Sequence, residues 1–470
     1  MRRLTLLLAA TFGTGGFAAE LPEIDWQTVE REALEHFRSI IRIDTSSPPG
    51  NETEAARYLE SVLAEAGIDS ELYALDPARA SLVARVTGNG TKRPLLLMGH
   101  TDVVGTDRER WSVDPFAAVT KDGYIYGRGT LDDKDMVTAG LMIVLLLERH
   151  GVVLDRDVIF LAESGEEGTP EYGVEFMTRN HWETIAAEYC LAEGGASVSV
   201  DGEVSYVAVA STEKVAMRVR LVARGTAGHG SIPRLDNAVT ALGRAVGRVG
   251  DWQAPVRLNA TTRAYFERLA VFSEPADAQR YVRIAADPED ADVLAYFAEH
   301  EPQHYSMLLT SVVPTIIEGG FRMNVIPSEA TAMIDIRALP DEDPEAFYAR
   351  LAEVIDDPNI EIQPQRIYRP RAPASPIDNE MFRALETVTE RLYPGATMLP
   401  AMLTGATDMS FIRAMGTPCY GLGPIQDEQD IGAGGGAHGD NERILEGSLL
   451  ELIRFLWFTI GEVAVAADVL

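Results

Sequence analysis

Between Pro94 and Met98 the chain reads PLLLM and then stops on Gly99, His100, Thr101 and Asp102. An unbroken apolar run of this kind reads as a strand buried on both faces, which belongs in a parallel sheet covered by helices. A strand ending on histidine and acid places ionisable groups at its carboxyl end, the edge where open α/β sheets bind ligands. Further along, a second short run ends in Gly127 to Asp135, which carries Asp132, Asp133, Lys134 and Asp135. Four carboxylates and a histidine are costly to bury unless positive charge sits among them, and a divalent metal is the simplest such charge.

The rest of the chain repeats this strand and helix alternation. Helical spacing covers Trp26 to Arg42 and Glu52 to Ala66, the latter stopped by Gly67. Strand-like runs follow at Ser70–Leu75, Ser81–Val86 and Leu95–Met98, then a helix from Met136 to His150 and strands at Val158–Ala162 and Tyr189–Ala192. This order predicts an α/β fold with a mostly parallel sheet flanked by helices. Around Ser211 the texture changes, and Val215 to Val222 (VAMRVRLV) alternates apolar with polar residues, the mark of a sheet with one wet face. Helices at Asn237–Val249 and Asp343–Ile355 and strands at Ser311–Glu318, Ala330–Leu339 and Ile360–Ile367 complete a βαββαβ order, interrupted by an acidic, loosely helical stretch up to Pro302. The expected division is a catalytic domain of residues 20–208 plus 368–470, with a small α+β domain of residues 209–367 inserted in it. A helix from Asn441 to Val463 is expected near the end of the chain, after a flexible GAGGG loop at Gly432–Gly436.

At 470 residues the chain exceeds one ordinary core, which also favours two domains. A net charge of −31 argues against nucleic acid or an anionic membrane as partner. Arg2, Arg3, the apolar run Leu4–Phe12 and the small residues up to Ala19 have the layout of a signal peptide, so residues 1–19 point to export, to a periplasm or beyond. No later segment is long enough to span a membrane. Cys190 and Cys419 are the only cysteines and both lie in apolar runs, so two buried free thiols are expected rather than a disulfide framework.

Five short motifs carry the chemistry. In His100-x-Asp102 both side chains face one side of an extended strand, so the carboxylate can orient the imidazole; alone, the pair reads first as a structural contact. Asp132, in GRGTLDDK, offers a carboxylate able to bridge two cations, although acidic loop runs are usually solvated. Glu166 and Glu167 share a turn after a strand and point different ways, so one can bind metal while the other holds a water for general-base work. Glu193 closes the next strand in LAEGG, and His438 stands in a late glycine-rich loop. Together they supply two histidines and three carboxylates as ligands, with one glutamate to spare, an inventory suited to two zinc ions about 3.5 to 4 Å apart. Cobalt or manganese would fit the same donors.

In that order and spacing the motifs, from about residue 30 to 460, resemble the M20 metallopeptidases. GRGTLDDK and LAEGG are most similar to the carboxypeptidase S branch, which includes secreted N-acyl amino acid hydrolases. The resemblance implies that Asp132 bridges the metals, that His100 and Glu193 complete one site and Glu167 and His438 the other, that Glu166 is the general base and that Asp102 orients His100. It implies a cis peptide at Asp132-Asp133, and it sets Asp135 apart, where many relatives have glycine. His229 in GTAGHG matches the histidine that reaches across a dimer to stabilise the oxyanion, so the inserted domain becomes a dimerisation or lid domain and the protein a homodimer. Asn324 in NVIP matches a substrate-contacting asparagine, and Gly405 and Asp408 in TGATD the loop around the substrate carboxylate. Arg337 is a guanidinium able to grip a carboxylate bidentately, or to form a sheet salt bridge. The implied function is a two-zinc carboxypeptidase-type hydrolase of small peptides or N-acyl amino acids. An aminoacylase-like deacylase, a metal-dependent esterase and a non-catalytic metal or peptide binder are the alternatives.

Overall fold

The computed structural model describes residues 21–427 and 436–466. The leader at residues 1–19 and most of the GAGGG loop lie outside the described residues.

In chain order the larger sheet is built from β1 (Ser70–Ala74), β2 (Ala80–Val86), β3 (Leu95–His100), β4 (Val158–Glu163), β5 (Tyr189–Ala192), β6 (Ala196–Val200) and β7 (Glu203–Glu213). The smaller sheet holds β8 (Val215–Arg224), β9 (Ser311–Gly319), β10 (Glu329–Ala338) and β11 (Ile360–Pro364). The chain then returns to the larger sheet with β12 (Thr397–Leu403), β13 (Cys419–Gly421) and β14 (Ile425–Asp427). Strand order in the larger sheet is β1-β2-β4-β3-β5-β13-β7-β6-β14, with β12 paired to β7. The centre, β4-β3-β5-β13, is parallel, while β1, β2, β6 and β7 bring antiparallel pairings to the flanks.

Side-chain alternation explains why the central strands are apolar throughout. Leu95, Leu97, Phe160 and Ala162 enter one core with helices α1 (Trp26–Ile41), α2 (Lys134–Arg149) and α3 (Ser448–Ala464). Leu96, Met98, Ile159 and Leu161 enter a second core on the opposite face, with Val174, Met177, Met409 and Ile412. Each fully buried leucine or isoleucine contributes roughly 1.5–3 kcal/mol relative to exposure, so both faces hold the strand ends in register. Cys190 and Cys419 are free, buried and register partners on β5 and β13.

The smaller sheet is antiparallel, in the order β9-β10-β8-β11. Val215, Met217, Val219 and Leu221 of β8 pack under the helices Ala238–Asp251 and Pro344–Ile355, while Arg218, Arg220 and Arg224 pair on the other face with Asp335, Glu329 and Glu361. The alternation therefore sorts one dry and one wet face. Residues 260–307 form four helices whose core of Phe266, Tyr281, Ile284 and Phe297 closes on Leu399 of β12, so this stretch docks against the larger sheet. β7 also stays in the larger sheet up to Glu213, past the boundary expected at 208/209.

The expected helix from Asn441 needs correction: it begins at Ser448. Arg443–Leu445 instead form a strand against Tyr124–Tyr126, because Glu442 is drawn into a buried ion pair that holds this segment extended. β12 went unread because Pro400 interrupts it; Pro400 is tolerated because β12 pairs on one side only, with β7.

Gly173 sits where an added Cβ would lie 1.7 Å from the carbonyl oxygen of Ser164, next to the turn carrying Glu166. Gly173→Ala should therefore cost about 3 kcal/mol by overpacking, read as a lower midpoint in urea denaturation.

Candidate metal centre

His100 ends β3, Glu166 and Glu167 follow β4, Glu193 follows β5, and Asp132 lies in the turn before α2, so the parallel strands deliver these groups to one edge. His438 joins them from the loop after β14. The His100 ring is buried, with Nδ1 2.9 Å from the main-chain carbonyl of Asp102. A carbonyl can only accept, so Nδ1 carries a proton, which leaves Nε2 as the nitrogen that can give up its proton and turn a lone pair to a cation. Nε2 lies 2.9 Å from Asp132 Oδ1, and Asp132 Oδ2 lies 3.1 Å from His438 Nε2. His438 Nε2 is in turn 3.0 Å from Glu167 Oε1. Asp132 thus faces one imidazole with each oxygen, which is how a bridging carboxylate is disposed.

Ligand atoms of His100, Asp132 and Glu167 lie within 4.8 Å of one another, as do those of His100, Glu166 and Glu193. Charge explains what this donor set wants. Burial pushes Glu193 up to about 8, with His100 opposing and Asp132 and Glu167 adding to the rise. Hydrogen bonds from its ring to the carboxylates of Asp132 and Glu167 raise His438 to about 10. Burial raises Glu166 well above the carboxylate range, against the pull of the Arg369 charge. Such a site holds its acids together only by taking up positive charge, as protons or as cations, and divalent metal binding to these groups displaces protons. Nitrogen and carboxylate donors at these spacings fit a pair of divalent ions.

The surrounding residues hold the donors in place. The carboxylate of Asp102 accepts from the N–H groups of Glu166 (3.1 Å) and Glu167 (3.0 Å), with one oxygen 3.5 Å from His100 Nδ1. Its side chain therefore shapes the glutamate turn, while its carbonyl and its carboxylate both face His100 Nδ1, at 2.9 and 3.5 Å. Asp133 Oδ2 accepts from His100 N–H on the protein side of the loop, and the Asp132–Asp133 peptide is cis. Lys134 Nζ donates to the carbonyls of Ile40 and Ile43, while burial lowers it to about 7. Asp135, buried in the first turn of α2, is pushed up to about 8 by burial.

Other expected residues lie elsewhere. His229 and Asn324 are exposed on one two-stranded ribbon, in which Gly228–His229 pairs with Val325–Ile326 and Gly230 N–H donates to the Asn324 carbonyl. His229 Nδ1 lies 2.7 Å from the Ser231 hydroxyl. Arg337 forms the sheet salt bridge, Nε to Asp335 at 2.8 Å. Gly405 is exposed, with open space where a Cβ would project.

Two contributors escaped the sequence reading. Glu442, fully buried, accepts from Arg128 Nη1 (2.6 Å), Gly129 N–H (3.2 Å) and Leu131 N–H (2.8 Å), while Arg128 Nη2 donates to the His438 carbonyl (3.4 Å). This pair fastens the Asp132 loop to the His438 loop. Arg369 reaches Glu166 and Asp408 from the segment after β11. The excess of acids over bases among the motifs was the only hint of such arginines.

The sequence profile of peptidase family M20/M25/M40 matches residues 96–460. N-fatty-acyl-amino acid synthase/hydrolase PM20D1 of Xenopus tropicalis is 26% identical over 442 residues, 90% of this chain and 84% of that protein. Human aminoacylase-1 is 27% identical over 403 residues, 84% and 88% of the two chains. Among solved structures, the M20 family metallo-carboxypeptidase Sso-CP2 from Sulfolobus solfataricus superposes with a TM-score of 0.69 at 18% identity, covering 92% of this chain and 98% of its own.

Removing Glu442 leaves Arg128 buried without its partner. Glu442→Ala should cost about 3–5 kcal/mol of stability and weaken metal binding about 10- to 100-fold. Chelator competition beside denaturant unfolding checks both, and lost stability with unchanged metal affinity would restrict Glu442 to a folding role.

Proposed function

Since this chain belongs to the M20/M25/M40 peptidase family, we propose that it is a two-zinc hydrolase that cleaves the amide bond of an N-acyl amino acid or of a small peptide with a free carboxylate. The observation carrying this reading is the meeting of His100, Asp132, Glu167, Glu193 and His438 around one carboxylate that faces both imidazoles. His100 and Glu193 would hold one ion, Glu167 and His438 the other, and Asp132 both. Metal bound by these residues would supply a water of lowered pKa and a Lewis acid for the scissile carbonyl.

The chain's own groups do the rest. Glu166 takes the proton of the attacking water and returns it to the departing amine nitrogen. Asp102, accepting from both N–H groups of the glutamate turn, keeps Glu166 and Glu167 pointed apart. His229 stabilises the oxyanion from the partner of a dimer, a reading supported by its exposure on a ribbon of the smaller domain. The dimer itself is favoured by β9, an edge strand that exposes Val313, Ile316 and Ile317, since an apolar edge invites pairing with a second copy. Asn324 would contact the substrate, and the loop of Gly405 would line the pocket for its carboxylate. Both curated relatives above are named for chemistry on N-acyl amino acids, which favours deacylation over peptide cleavage.

Glu166→Gln should keep metal and fold but lose turnover by about 10²- to 10⁴-fold; a near-normal rate would remove Glu166 from the role. His229→Ala should depress kcat with metal content unchanged, and mixing it with a Glu166→Gln variant should restore part of the activity if the histidine serves the partner's site. N-acyl amino acids, dipeptides and esters assayed before and after chelation will rank the substrate classes, and hydrolysis that survives chelation would sink the metal reading.

A further inference from the structure

Arg369 lies on the segment that brings the chain back from β11 to the larger sheet. Its guanidinium holds Glu166 twice, with Nη2 donating to the carboxylate Oε1 and to the main-chain carbonyl of the same residue (2.6 Å), while Nε donates to Asp408 Oδ1 (3.1 Å). The Arg369 side chain is 16% exposed and that of Asp408 1%. A guanidinium stays charged under all working conditions and presents its donors as a rigid fork. Gripping both the carboxylate and the carbonyl of one residue fixes the side chain relative to its own backbone.

The grip matters because Glu166 has a second possible fate. Its carboxylate lies in the same 4.8 Å cluster as ligand atoms of His100 and Glu193, so by distance alone it could serve as a metal ligand. A carboxylate that ligates metal is a poor proton acceptor. We propose that Arg369 is a positioning residue that keeps Glu166 at the edge of the metal centre as a base and prevents it from becoming a further ligand. This rests on the assignment of Glu166 as general base made above. A purely structural role, in which Arg369 only offsets buried acid charge, predicts lost stability without any change in metal coordination.

The test uses the Co²⁺-loaded enzyme and follows both kcat and the visible absorption of the metal. Arg369→Ala should lower kcat about 100-fold with KM little changed, and should weaken and shift the cobalt bands as Glu166 adds to the coordination. Glu166→Ala should leave the bands as in the parent protein, and the double variant Arg369→Ala/Glu166→Ala should return them to the parent form. Added guanidinium should restore part of the kcat of Arg369→Ala. Should that variant not fold, Arg369→Gln is judged by the same criteria. A kcat within about threefold of the parent, or unchanged cobalt bands, would overturn the proposal. If Glu166→Ala itself turns over normally, the general-base assignment fails first; if it is inactive while Arg369→Ala behaves as the parent, only the role of Arg369 falls.

Discussion

The centre of this protein is an electrostatic problem, acids gathered at the carboxyl ends of buried parallel strands with too few permanent cations beside them. Most of these acids are buried or half-buried, with His438 open to solvent on one side, so hydration offsets their charge poorly. What surrounds the site answers that problem. Arg128 pairs with Glu442, and Arg369 bridges Glu166 and Asp408, offsetting one of their two charges. Asp102 hands its charge to two backbone N–H groups, and the remaining donors face one another across a gap that suits divalent ions.

The fold serves the site through rigidity at its base and distance at its rim. The strands carrying His100, Glu166 and Glu193 are fixed by cores on both faces. The two candidate ligands that arrive on loops, Asp132 and His438, are fastened to each other through Glu442 and Arg128 instead of through a sheet. The smaller sheet sits on two connections, after Glu213 and after Pro364; it carries Arg337, and the two-stranded ribbon beside it in the chain carries His229 and Asn324.

Much of this was legible in the chain. Unbroken apolar runs marked β3, β4 and β5, and alternation marked β8 and its wet face, because burial on two faces or on one leaves a direct imprint on composition. Helices were expected to start at Asn237 and Asp343, and each of these residues accepts a capping bond from the first turn. Other features left no local trace. β12 contains a proline, the segment at 441–447 was absorbed into the helix that follows it, and the helices of residues 260–307 depend on Leu399, far along the chain.

The amino-acid order by itself determined which groups stand at strand ends, because hydrophobic periodicity decides where a strand stops and hence which side chains it releases. Only the tertiary structure decided what those groups do to one another. It set the carbonyl of Asp102 beside its carboxylate on His100, tied that same carboxylate to the glutamate turn, and brought Arg369 from a proline-rich linker onto Glu166. Hydrogen bonds between residues hundreds of positions apart obey distance and direction in space, and no period in the sequence encodes either.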